Sequence, residues 1–192
     1  MRKALVILAL AAICGGALYY FRDNLPWVTD ASDDNGGAPN PIADIDRPLP
    51  PTVLMSPDNR WVDLSTAYQG QVVYIAFFAT WCSGCTDEVP SLIRYQQKFG
   101  DKGFKVVALA IDDEGDEPVA TFVKRRFDVD GSQTSINFPV MMGTMEIAQK
   151  AGFEGGLPSG ILVNREGKEV RIVRGVVKEA ALEKAIGRIV KQ

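Results

Sequence analysis

The sequence predicts an α/β fold in which helices flank a central mixed β-sheet. Two runs at 72–78 and 104–111 are almost entirely apolar, which is typical of strands buried on both faces of a sheet. Each run is followed by a stretch that fits a helix, and two further strands and an amphipathic helix end the chain. The order is therefore strand, helix, strand, helix, and then strand, strand, helix.

The individual elements follow from local pattern and turn residues. Ser-Pro-Asp-Asn at 56–59 lies between two short strands, so we expect an N-terminal β-hairpin extension. Pro90 is expected to kink the first long helix. The acidic run 112–117 is expected to cap the next helix and face solvent. The predicted elements are strands at 52–55 and 60–63, a helical turn at 64–68, a strand at 71–78, a helix at 86–99, a strand at 104–111, a helix from 118 to about 127, a strand at 138–141, a helix at 144–151, strands at 160–163 and 169–173, and a helix at 178–190.

Composition excludes several classes of function. The chain has 192 residues, 46% of them hydrophobic and 23% charged, which suits one globular domain with additional segments. A net charge of −3 with no basic stripe gives no basis for binding nucleic acid. The absence of histidine excludes an imidazole base, a Ser-His-Asp set and a His-ligated metal. The chemistry must therefore use thiols, carboxylates or backbone groups.

Residues 1–22 are predicted to form a transmembrane signal-anchor. Arg2 and Lys3 precede an uncharged run of about 18 residues, just long enough to cross a bilayer. Basic residues before the run predict a single-pass protein of the cytoplasmic (inner) membrane with its folded domain in the periplasm or extracytoplasmic space. A cleaved signal peptide is an alternative, although no clear Ala-x-Ala pattern follows the apolar run. Lipidation of Cys14 is another, although the bulky Ile13 precedes it.

Residues 23–50 are predicted to be a flexible linker, and residues 51–192 the folded domain. The linker segment is rich in Asp, Asn, Gly and Pro and cannot bury enough apolar surface to fold alone. The alternative is that the part from Ile42 onward packs on the domain as an irregular arm.

The central motif is Trp81-Cys82-Ser83-Gly84-Cys85, at the point where a buried strand gives way to a helix. A cysteine that opens a helix becomes acidic, because unpaired backbone N–H groups and the helix dipole favour its thiolate. We interpret Cys82 and Cys85 as a redox-active pair. Half of a zinc site is an alternative that lacks further ligands, and an inert structural disulfide is a second alternative.

Three motifs resemble the thioredoxin superfamily, and in particular its TlpA/ResA-like, membrane-tethered thiol-disulfide oxidoreductases. The motifs are the segment 77–85, Glu88-Val89-Pro90, and Gly156-Leu157-Pro158-Ser159. The resemblance implies a thioredoxin-like fold over 51–192, and a cis Leu157–Pro158 bond facing the cysteines. We expect no cofactor and no metal. We expect Trp81 to shield the site.

The sequence departs from that family at two places. Thioredoxins proper have a buried acid six residues before the first cysteine, and this chain has Ala76 there. Glu88 or water is then the expected proton acceptor for Cys85. Ser83-Gly84 also replaces the Gly-Pro or Pro-Pro of many relatives, so no relative's redox potential applies to this chain.

The expected reaction is dithiol–disulfide exchange. Cys82 attacks a partner disulfide and Cys85 resolves the mixed disulfide, while the backbone at Leu157 and Pro158 pairs with the client. The resemblance implies exported clients, such as apocytochrome c or proteins with metal-site cysteines, and a membrane thiol-disulfide electron donor. The alternatives are a disulfide oxidase or isomerase, a peroxiredoxin-like thiol peroxidase, of whose site only Thr80 is present, and a copper metallochaperone, whose usual histidine is missing.

Overall fold

The structure is a computed structural model that describes residues 41–192, except 57–58 and 113–114. The predicted anchor at 1–22 and the linker up to residue 40 lie outside the described residues. None of the helices in the described ranges has the length and apolar character needed to span a bilayer.

The described residues form ten strands, five α-helices and one 3₁₀ turn, Gly100–Lys102. The strands are β1 (Ile42–Pro48), β2 (Val53–Met55), β3 (Trp61–Asp63), β4 (Val72–Phe78), β5 (Phe104–Ala110), β6 (Arg126–Val129), β7 (Ser132–Ser135), β8 (Val140–Met142), β9 (Ser159–Val163) and β10 (Lys168–Arg174). The helices are α1 (Leu64–Ala67), α2 (Ser83–Phe99), α3 (Asp116–Val123), α4 (Met145–Lys150) and α5 (Glu179–Val190).

Eight strands form one mixed sheet in the order β1-β10-β9-β4-β5-β8-β2-β3. The pairs β4–β5 and β5–β8 are parallel, and the other pairs are antiparallel. Every residue of β4 is buried, so this strand lies at the centre of the core. The predicted mixed sheet and its flanking helices are confirmed, and the early β2–β3 hairpin lies at one edge.

Parallel pairing of β4 with β5 places the site. Phe78 lies beside Ala110 in the register, and Ile111 N–H donates to the Phe78 carbonyl at 2.9 Å. Because the carboxyl ends of parallel strands meet at one edge of a sheet, the segments that follow β4 and β5 emerge side by side. These two segments carry the cysteine motif and the acidic run.

The folded part begins earlier than predicted. The linker was predicted to extend to residue 50, with packing on the domain from Ile42 onward as the alternative. Ile42–Pro48 does pack on the domain, but as a regular edge strand antiparallel to β10. Ile42 and Ile45 pack against the core, although four of the seven residues of the strand are exposed. An edge strand is held largely by main-chain hydrogen bonds, so its side chains give a weak signal.

The predicted end of the next helix, at about residue 127, is also wrong. Helix α3 stops at Val123, and β6 and β7 form a separate two-stranded sheet. Asp130 and Gly131 join these strands with φ angles of 54° and 80°, the left-handed conformations that Asp-Gly hairpin turns adopt. The kink expected at Pro90 stays a prediction; helix α2 continues through this residue to Phe99.

Candidate active site

Cys82 and Cys85 lie where β4 ends and α2 begins, and they form a disulfide. Cys82 is the N-cap of α2, and its Sγ accepts a hydrogen bond from the N–H of Cys85 at 3.2 Å. Both residues are buried, at 9% and 3% exposure, so Cys82 is only slightly more exposed than Cys85. In the reduced protein, the same N–H and the helix dipole would stabilise a thiolate on Cys82.

A loop before β9 packs against the residue between the cysteines. The Leu157–Pro158 peptide bond is cis, as the resemblance implied. A Cβ atom added to Gly84 would lie 3.3 Å from Pro158 Cδ and 3.5 Å from Val176 Cγ2. Glycine at this position therefore allows the proline to approach the cysteine motif closely.

Trp81 lies on the surface immediately before Cys82, and 65% of it is exposed. It is therefore not a core residue. Val176, which lies beside Gly84, is 77% exposed. Tryptophan is enriched at protein–protein interfaces.

Glu88 lies on α2, three residues after Cys85, and is partly buried. It lines a cavity of about 10 Å³ together with Cys85 and Ala76, close to the smallest space that holds one water molecule. The small side chain of Ala76 therefore leaves Glu88 as the acid at this cavity. Burial raises the pKa of Glu88 from 4.5 to about 7, because desolvation disfavours the carboxylate.

Glu88 also lines a groove on its other side. This groove has a volume of about 100 Å³, and Gly84, Pro158 and Val176 lie along it. The first cavity reaches Cys85, whereas the groove reaches the loop of Pro158. Glu88 thus connects the buried cysteine with the surface beside the disulfide.

Asp112 is a site residue that the sequence interpretation missed. It was expected to face solvent with the rest of the acidic run, but it accepts hydrogen bonds from Thr80. The Thr80 N–H lies 3.0 Å from Oδ1 and 3.2 Å from Oδ2 of Asp112, and the Thr80 hydroxyl also donates to Oδ1. The signal was available, since Thr80 and Asp112 each follow one of the two long apolar runs.

The structure thus brings Cys82, Cys85, Glu88 and Pro158 together. It places Trp81 at the rim of the site, and Leu157 is the residue joined to Pro158 by the cis bond. Among the described residues, no group of three or more Cys, Asp or Glu side chains is arranged to hold a metal ion.

Comparison with known proteins gives consistent matches. The Redoxin family profile matches residues 44–186. The thiol-disulfide oxidoreductase ResA of Bacillus subtilis is 29% identical over 133 residues, which is 69% of each chain. A solved DsbE-type thiol:disulfide interchange protein from Chlorobium tepidum is 27% identical with a TM-score of 0.65, covering 76% of this chain and 96% of that one.

A secreted thiol-disulfide isomerase from Corynebacterium glutamicum has a TM-score of 0.68 over 82% of this chain and 96% of its own. At 15% identity this likeness concerns the fold alone. The family profile covers most of the chain and includes both cysteines. The chain therefore belongs to the Redoxin family and is a ResA-like thiol-disulfide oxidoreductase of the thioredoxin superfamily.

Proposed function

We propose that this thiol-disulfide oxidoreductase acts outside the cytoplasm, where it reduces disulfides in exported client proteins. The observation that carries the proposal is the placement of Cys82 at the start of α2, with its Sγ on the N–H of Cys85. That placement favours a thiolate, which is the attacking species in disulfide exchange. Apocytochrome c and proteins with metal-site cysteines are the proposed clients, and a membrane thiol-disulfide protein is the proposed electron donor.

Two exchange steps complete the reaction. The Cys82 thiolate attacks one client sulfur, the client disulfide breaks, and the other client sulfur leaves as a thiolate that takes a proton. Cys85 then loses its proton and attacks Sγ of Cys82, which releases the second client thiolate and forms the Cys82–Cys85 disulfide. The client gains two electrons and two protons, and the protein is oxidised.

Glu88 is the proposed acceptor for the Cys85 proton. An ordinary thiol has a pKa of about 8.5, so transfer to a carboxylate with a pKa of about 7 is uphill by about 2 kcal/mol. Transfer to a carboxylate with the ordinary pKa of 4.5 would be uphill by about 5 kcal/mol. The burial that raises the pKa of Glu88 therefore suits it to this step. Both residues line the same small cavity, whose volume of about 10 Å³ is close to the smallest that holds a water.

The client is proposed to bind across the disulfide. Exposed Trp81, next to Cys82 in sequence, and exposed Val176, beside Gly84, offer apolar contacts to a client. The ring of Pro158 lies against Gly84, and the main chain at Leu157 and Pro158 would pair with an extended client segment. Main-chain pairing tolerates different side chains, which suits an enzyme that acts on more than one client.

Trapping tests the roles of the two cysteines. A Cys85→Ala variant lacks the resolving thiol, so we expect it to accumulate a mixed disulfide between Cys82 and the client in the native membrane. The complex should be visible on a non-reducing gel and disappear on reduction. The matched control is Cys82→Ala, which should trap little. Equal trapping by both variants would contradict the assigned roles.

The direction of the reaction is tested by the midpoint potential of the Cys82/Cys85 couple. A value near −270 mV, typical of reducing members of the superfamily, supports the reductase. A value near −120 mV, typical of strong oxidants, would instead indicate an oxidase. The proposed location is tested by adding protease to spheroplasts, where the folded domain should be digested while a cytoplasmic marker stays intact.

A further inference from the structure

The turn between β4 and the cysteine motif, residues 79–82, is hydrogen-bonded to a residue that lies outside the turn. Within it, the N–H of Cys82 donates to the carbonyl of Ala79 at 3.1 Å. The N–H of Thr80 points instead at the Asp112 carboxylate, at 3.0 and 3.2 Å from its two oxygens. The hydroxyl of Thr80 donates to the same carboxylate. A single side chain thus binds both donors of the residue two positions before Cys82.

Asp112 is itself fixed by the sheet. The N–H of the preceding residue, Ile111, donates to the carbonyl of Phe78, so the segment after β5 is joined to the end of β4. Asp112 therefore contacts Thr80 from the segment that directly follows β5, although 32 residues separate the two in sequence.

We propose that Asp112 is a positioning residue for the nucleophile. By holding Thr80, it fixes the turn 79–82 so that Sγ of Cys82 stays on the N–H of Cys85. The inference rests on the proposed role of Cys82 as the attacking thiolate. The thiolate of a cysteine at a helix N-terminus is less stabilised when its sulfur moves away from the backbone N–H donors.

The direction in which the pKa of the Cys82 thiol changes when Asp112 is removed distinguishes three possible roles of Asp112. If Asp112 positions Cys82, its removal weakens thiolate stabilisation and raises the pKa of the Cys82 thiol. If Asp112 acts only through its negative charge, its removal lowers that pKa, because like charges repel. If Asp112 only stabilises the fold, the pKa of the thiol does not change.

The substitution Asp112→Asn provides a rescue. Both Thr80 donors are bound to Oδ1 of Asp112, and an asparagine side chain retains one oxygen that can accept two hydrogen bonds. Asp112→Asn therefore removes the charge and keeps the positioning contacts, whereas Asp112→Ala removes both.

A matched control is available at Asp63. Its Oδ1 accepts hydrogen bonds from Thr52 N–H at 3.1 Å, Ser65 N–H at 3.0 Å and the Ser65 hydroxyl at 2.8 Å. Asp63→Ala thus removes a similar set of contacts from helix α1, away from the cysteines. It reports the effect of losing such contacts on stability alone.

The experiment is alkylation of the reduced full-length protein by iodoacetamide between pH 5 and 9, followed at Cys82 by mass spectrometry. We expect Asp112→Ala to raise the apparent pKa of Cys82 and to slow its alkylation at pH 7 at least fivefold. Asp112→Asn and Asp63→Ala should stay within twofold of the wild type. An unchanged or lowered pKa in Asp112→Ala would overturn the proposal, as would an Asp112→Asn variant as slow as Asp112→Ala.

A second pair of variants applies if Asp112→Ala does not fold. Thr80→Val removes the hydroxyl donor, and Thr80→Ser keeps it. Slower alkylation in Thr80→Val alone supports the proposal, and equal rates in the two variants contradict it. Alkylation needs no client. If the wild type failed to reduce clients, the proposed function would be refuted, but the alkylation rates would still test the role of Asp112.

Discussion

The substitution Glu88→Gln is predicted to change how the stability of the oxidised protein depends on pH. Burial raises the pKa of Glu88 to about 7 in the folded protein, compared with 4.5 for an ordinary glutamate. A carboxyl with a higher pKa in the folded state stabilises the fold while it is protonated. This contribution is complete below about pH 4.5 and is lost as the pH rises through 7.

The magnitude follows from the two pKa values. They differ by about 2.5 pH units, and each unit corresponds to about 1.4 kcal/mol, which sets an upper value of about 3 kcal/mol. Glu88 also borders the groove beside Pro158, and solvent there reduces the cost of ionisation. We therefore expect the wild type to lose about 2 kcal/mol relative to Glu88→Gln between pH 5 and pH 9.

Urea unfolding of the oxidised proteins measures this difference. The free energy of unfolding would be determined at pH 5, 7 and 9 for the wild type and for Glu88→Gln, and the difference between them plotted against pH. The control is Asp87→Asn, which removes an exposed carboxyl from the same turn of α2. A difference between wild type and Glu88→Gln that is the same at pH 5 and pH 9 would refute the reasoning.

Three further substitutions test packing near and away from the site. Arg165 donates hydrogen bonds to the carbonyls of residues 70, 102 and 190 at 2.9–3.1 Å. Arg165→Ala should therefore lower the free energy of unfolding by about 2 kcal/mol. If Arg165→Lys kept the wild-type stability, a role for the forked guanidinium would be contradicted. A Cβ on Gly160 would lie 2.4–2.6 Å from the hydroxyl and two ring carbons of Tyr74, so Gly160→Ala should lower the melting temperature. An unchanged melting temperature would contradict this close packing. Gly84→Ala adds a methyl group 3.3 Å from Pro158 Cδ, so it should slow reduction of a client disulfide at least threefold while the melting temperature stays near that of the wild type; an unchanged rate would show that the loop adapts freely.

Much of the fold could be predicted because its signals are local. The apolar runs that became β4 and β5 are buried along nearly their whole length, and such runs need no knowledge of their neighbours to be identified. The N-terminal hairpin and the closing amphipathic helix were predicted for the same reason. The cysteine motif was located correctly at the junction of strand and helix, since this geometry depends on adjacent residues.

The incorrect predictions concern segments whose conformation depends on a partner. More than half of the residues of β1 are exposed, and the segment forms a strand because it pairs with β10. The segment 126–135 forms a hairpin whose buried residues, Phe127 and Val129, alternate with exposed ones. The Asp130-Gly131 pair between the two strands indicates a tight turn, and it was not recognised.

The sequence by itself determined that two cysteines lie at the start of a helix, because chain direction and the strand-to-helix junction set that arrangement. Only the tertiary structure decided which distant groups surround them. The register of β4 and β5 places Asp112 on Thr80, and packing around α2 buries Glu88 enough to raise its pKa to about 7. Each of these effects depends on burial or on contacts across more than 30 residues of sequence, which local pattern does not specify.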